Sequence, residues 1–95
     1  MEKTNIESLK PFLESEGYFN IREIPGQGIC ALHRFIFTIG LVCDITEWGY
    51  AYRYCYENSL DAKQAIRDWD GNRHPPGNWV KRKGKGGEVY NENYK

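Results

Sequence analysis

No apolar run in this 95-residue sequence approaches the roughly 20 residues that cross a bilayer; the longest, around Phe35 to Cys43, falls far short. Nothing like the apolar segment of a signal peptide stands behind Met1-Glu2-Lys3-Thr4-Asn5, so the reading is a cytosolic, cytoplasmic protein with no membrane association. Net charge is lacking too, because 13 basic residues cancel 13 acidic ones. The cancellation is uneven: residues 1–24 carry three basic and five acidic groups, residues 81–95 five basic and two acidic. A tail of net +3 is too small to require nucleic acid, whose affinity scales with the phosphates neutralised. Cysteines number three, an odd count that fits free thiols in a reducing compartment better than a disulfide framework. There is no internal repeat, and the length allows one domain with a single core.

Recognised chemistry is equally scarce. Pro25-Gly26-Gln27-Gly28 and Lys83-Gly84-Lys85-Gly86-Gly87 lack the spacing and the Lys-Ser/Thr of a phosphate loop. Asp68-Trp69-Asp70-Gly71-Asn72 places its glycine too early for a calcium loop, and no bidentate glutamate follows. Cys30, His33, Cys43, Cys55 and His74 are poorly spaced for zinc, so the cysteines read as small buried hydrophobes, and neither a metal nor a cofactor is expected. A Cys/His enzyme built on Cys55 and His74 is the weakest of the functional readings, since no cysteine sits where its pKa would fall.

Aromatic residues are abundant: three Trp, seven Tyr and four Phe. Tyr50, Tyr52, Tyr54 and Tyr56 recur at every second position, which puts the four phenols on one face of a strand. If Thr46-Glu47-Trp48-Gly49 closes as a two- or four-residue loop, Tyr52, Tyr54 and Tyr56 lie opposite Cys43, Leu41 and Ile39 and belong to the core. A three-residue loop sets them beside Asp44, Val42 and Gly40 as an open aromatic platform. The core is the favoured reading, because burial is the commoner use of such rows.

The remaining pattern predicts an α+β fold: a small antiparallel sheet of about four strands, with two short helices packed on it, in the order α-β-β-β-α-β. The first helix starts at Ser8, which keeps Pro11 in its first turn, and Phe19 to Ile24 is the first strand. Alternation survives throughout Ile29 to Ile45, so this stretch reads as one long, bent central strand with Gly40 as a bulge or a close approach of another backbone. Asn58 or Ser59 caps a second helix with Ala62, Ala65, Ile66 and Trp69 as its apolar stripe. Asn78 to Lys83 forms a last short strand, which closes the domain at residues 1–83 and leaves 84–95 as a basic, glycine-rich mobile tail.

Trp79-Val80-Lys81-Arg82-Lys83-Gly84-Lys85 mixes a stacking ring with four cations, as single-strand nucleic-acid grooves do. Lysines also guard exposed strand edges against aggregation, and that is the plainer use of this segment.

Gly28-Ile29-Cys30-Ala31-Leu32, Gly40-Leu41-Val42, Arg53-Tyr54-Cys55-Tyr56, Trp69-Asp70-Gly71 and Pro76-Gly77-Asn78-Trp79-Val80-Lys81 together give the chain a familiar pattern. It resembles small uncharacterised proteins of bacteriophage, prophage and some bacterial genomes over about residues 24 to 90. The resemblance carries no catalytic residue; it implies a phage or mobile-element accessory protein that works by binding something of the host. The leading expectation is a non-catalytic binding module, an inhibitor of a host defence or regulatory protein, recognising its partner through Trp48, Arg53, Arg73, His74 and Trp79. The alternative is binding of single-stranded nucleic acid or nucleoprotein through Trp79, Lys81 and Lys83. Nothing in the pattern sets an oligomeric state.

Overall fold

The structure, a computed structural model, describes residues 6–95. Met1 to Asn5, on which the reading of the leader rests, lie outside the described residues. Among the described residues, no helix is long and apolar enough to cross a membrane. The order is α1 (Ile6–Ser15), β1 (Phe19–Ile24), β2 (Gly28–Arg34), β3 (Ile39–Cys43), β4 (Tyr52–Tyr56), α2 (Ser59–Asp68), β5 (Trp79–Gly84) and β6 (Gly87–Tyr90). The strands make one antiparallel sheet in the sequential order β1-β2-β3-β4-β5-β6.

The α+β class stands, but the expected four strands become six. The long bent strand is a hairpin: Phe35 to Thr38 turn the chain, with the Phe35 N–H donating to the Thr38 carbonyl at 2.8 Å. Arg34 pairs with Ile39, so a four-residue loop changes which parity faces which side. Ala31 and His33 therefore share a face with Val42 and Gly40, not with Leu41 and Cys43. The second addition is β6, which pairs with β5 from Lys81↔Tyr90 to Gly84↔Gly87. Each of its four residues is exposed, so no hydrophobic pattern marks it in the sequence.

A single core was also the wrong count. One cluster gathers Leu32, Leu41, Tyr54, Tyr56, Ile66, Trp69 and Trp79 under α2; a second gathers Leu9, Leu13, Ala31, Val42 and Ile45 under α1. The helices thus cover opposite faces of one sheet. α1 begins by Ile6, ahead of the expected Ser8, and holds Pro11 inside. Burial of Leu9 and Leu13, roughly 1.5–3 kcal/mol each, offsets the hydrogen bond that the proline cannot make. α2 follows the sequence closely: Asn58 caps it by accepting from the Asp61 N–H at 2.8 Å, and Ala62, Ala65, Ile66 and Trp69 are buried.

The tyrosine row takes the core register. Tyr56, Tyr54 and Tyr52 stand opposite Ile39, Leu41 and Cys43, and Tyr54 and Tyr56 are buried. Thr46 bridges Gly49, which leaves Glu47-Trp48 as a two-residue tip. Each of these three phenols finds a partner: Tyr56 donates to the Pro76 carbonyl at 2.9 Å, Tyr52 to Gln27 Oε1, and Tyr54 meets His74 Nδ1 at 2.9 Å. Burial raises the pKa of all three above the ordinary tyrosine value.

Candidate functional site

Along the face that carries α1, the strand registers line up in two rows. Ala31, Val42, Arg53, Lys83 and Glu88 form one, and His33, Gly40, Cys55, Lys81 and Tyr90 the other. α1 packs on the apolar β1–β3 half through Leu9 and Leu13. The β4–β6 half has no helix over it, and there the side chains turn cationic and aromatic.

Arg53 is the centre of this surface. Its guanidinium sits 4.1 Å above the Phe35 ring centroid, and Nη1 donates to the Tyr50 hydroxyl at 2.7 Å. Nε is buried with no hydrogen-bond partner, and the π face of Phe35 is what compensates it. Burial opposes the charge, yet contacts with Cys55 and Tyr50 leave the arginine pKa raised. Phe35 reaches this position because residue 40 is glycine: a Cβ there would stand 2.5 Å from the Phe35 ring. Gly40 was expected to mark a bulge or the close approach of another backbone; what approaches it is an aromatic ring.

Lys83 is the direct cross-strand neighbour of Arg53, and Lys81 lies one row on, opposite Cys55. Glu88 faces both lysines, with carboxylate oxygens 3.0 Å from Lys81 Nζ and 3.9 Å from Lys83 Nζ. That contact lowers the Glu88 pKa and raises the Lys81 pKa. Lys81 also lies 5.6 Å from the Tyr90 ring centroid. Two of the three cations thus share one carboxylate, and Arg53 is held by Phe35 and Tyr50 instead.

The other residues singled out from the sequence lie elsewhere. Trp79 is 5 % exposed and packs in the α2-side core, with its centroid 5.1 Å from that of Tyr54 and 4.9 Å from that of His74. Arg73 and His74 join it in a shallow cleft of about 300 Å³, with Pro76, Asn91 and Asn93. Arg82 belongs to this side too, 4.4 Å from the Tyr52 ring centroid, so the run from Lys81 to Lys83 divides between the two faces. Trp48 is alone at the β3–β4 tip, 90 % exposed. A cavity of about 610 Å³ lies by the β1–β2 turn among Glu23, Pro25, Gly28, Asp44 and Thr46 and is lined by none of these residues.

The fold does not bring the Cys55 and His74 pair together. Cys55 stands in a row on the α1 side, while His74 packs against Tyr54 on the α2 side, so the sheet separates them. Cys30 and Cys43 are buried neighbours in the α2-side cluster, where contact with Cys30, followed by burial, pushes the Cys43 thiol pKa up. Among the described residues, no three His, Cys, Asp or Glu side chains converge as metal ligands.

Sequence reasoning missed Phe35, Tyr50, Glu88 and Tyr90. The signal for the last two was present: Lys85-Gly86 between Gly84 and Gly87 is a two-residue hairpin tip, after which Glu88 and Tyr90 alternate in step with Lys83 and Lys81. Comparison with protein-family models, curated proteins and solved structures returned no match for this chain.

Proposed function

We propose that the protein is a non-catalytic binding module that holds a partner protein through the bare half of its sheet. The observation that carries this reading is the set Arg53, Lys81 and Lys83, fixed on the adjacent strands β4 and β5 beside Phe35, Tyr50 and Tyr90, with Glu88 of β6 paired to the two lysines. Arginine and tyrosine on a rigid sheet lose little entropy on binding and dominate contact energies. The partner that fits is acidic. The resemblance to phage and prophage proteins adds the expectation that it belongs to the host, as a defence or regulatory protein that the module inhibits.

Nucleic acid is the weaker reading. Its stacking ring was to be Trp79, which is 5 % exposed, and its basic run is split between two faces. A pull-down from host lysate separates the two, with wild type and a Lys81→Glu/Lys83→Glu variant as baits, each with and without nuclease. The expected result is a protein retained by wild type after nuclease and lost from the charge-reversed bait, which melts at an unchanged temperature. Capture abolished by nuclease would replace this reading with the nucleic-acid one.

A further inference from the structure

The cleft beside Pro75 and Pro76 holds nitrogen donors that the protein does not use. The Trp79 ring is buried, yet its indole N–H has no hydrogen-bond partner among the described residues. Nor is this nitrogen sealed from outside, since Arg53 Nε is the sole enclosed, unpartnered side-chain nitrogen or oxygen among the described residues.

His74 contributes a second donor. In the tautomer where the Tyr54 hydroxyl donates to His74 Nδ1, 2.9 Å away, that ring nitrogen is the acceptor. An imidazole that accepts at Nδ1 carries its hydrogen at Nε2, and Nε2 has no partner among the described residues.

Arg73 adds the charge. Among the described residues it has no ion-pair or side-chain hydrogen-bond partner, and its φ of 56° lies in the left-handed region, which the other described non-glycine residues there, Asn20 and Asp44, tolerate far better. Backbone strain of this kind collects at binding sites, where it aims a side chain. No acidic residue lines the cleft.

The geometry points to a second binding site here, for a compact oxyanion, a phosphate or carboxylate group held by the Arg73 guanidinium, the His74 Nε2–H and the Trp79 indole N–H. It lies on the opposite side of the sheet from the cationic surface and does not depend on the partner proposed for that surface. Three N–H donors and one full positive charge suit an oxygen anion and repel a metal ion.

The experiment is an NMR titration of the full chain with sodium phosphate, sodium acetate and sodium chloride at matched ionic strength, following the three indole N–H resonances. Trp79 should shift to saturation while those of Trp48 and Trp69 stay in place. Saturation by phosphate alone assigns a phosphate ligand, by acetate as well a carboxylate. Arg73→Ala, a change at an exposed side chain, should weaken binding about fivefold or more, as loss of a charge-assisted hydrogen bond does. Trp79→Phe, which keeps the ring and removes the donor, should weaken it too wherever the amide spectrum remains that of the folded protein. An unsaturable shift, an equal shift in chloride, or undiminished affinity in Arg73→Ala would overturn the assignment.

Discussion

The Arg53 guanidinium lies 4.1 Å above the centroid of the Phe35 ring, two side chains from strand β4 and the β2–β3 turn that meet only because residue 40, between them, has no side chain. The charge is thereby perched on an aromatic surface at a fixed height above the sheet. A cation–π contact of this kind is worth about 0.5–2 kcal/mol, depending on how far it is desolvated.

Gly40→Ala should displace Phe35 and destabilise the fold by about 1–3 kcal/mol, the usual cost of overpacking. Phe35→Leu in the same chain should return part of that loss. Denaturant melts of the two single variants and the double give the coupling, and strictly additive effects would mean that the ring does not occupy the space over Gly40.

Tyr54→Ala is expected to cost roughly 3 kcal/mol or more, since it empties a buried ring that touches Trp69, Trp79 and His74. Tyr54→Phe keeps the ring and should cost only about 1 kcal/mol for the lost hydroxyl bond. Equal losses in the two variants would place the energy in the hydroxyl rather than in packing.

Alkali should unfold the protein. Tyr52, Tyr54 and Tyr56 have folded pKa values raised by burial above the ordinary value of 10.0. A raised folded pKa contributes stability that is present below the unfolded value and lost as pH rises above it, because the unfolded chain then releases protons that the native state holds. Stability should therefore decline above about pH 10, with these phenols ionising together with unfolding in an absorbance titration. Smooth, non-cooperative ionisation of all seven tyrosines in a chain that stays folded would contradict this.

Arg73→Gly should raise stability by about 1 kcal/mol, since glycine occupies the left-handed region without the Cβ penalty. Thermal melts check it, and a lower melting temperature would mean that the Arg73 side chain supports the fold.

What the sequence made legible followed from burial. The Leu41–Tyr54 register and the α2 stripe leave periodic apolar traces, and both can be read directly. The hairpin at Phe35 to Thr38 hides because its tip, Phe35-Ile36-Phe37-Thr38, contains no glycine, proline or asparagine and carries Ile36 and Phe37 about 90 % exposed, so an apolar turn passes for strand. β6 hides for the opposite reason: it buries nothing. Arg53, Lys81 and Lys83 were recognised as residue types, but their convergence depends on β4–β5 register, which includes a shift between Cys55 and Tyr56 that no local signal encodes. Trp79 was misjudged because its neighbours in sequence are cations, whereas its neighbours in space are Tyr54 and His74.

The sequential strand order bears on how the chain finds its shape. Every ladder joins strands adjacent in sequence, so four of the five close through short turns, and one, between β4 and β5, must wait for residues 57–78 to be laid down. Low contact order of this kind favours rapid folding, with β1–β4 zipping first and the single long closure setting the pace. The two ends of that slow closure, Tyr56 and Trp79, are joined across the face by the segment that carries Arg73 and His74. The last contacts to form would then be those that build the cleft, and in native-state hydrogen exchange its amides should be among the first to open.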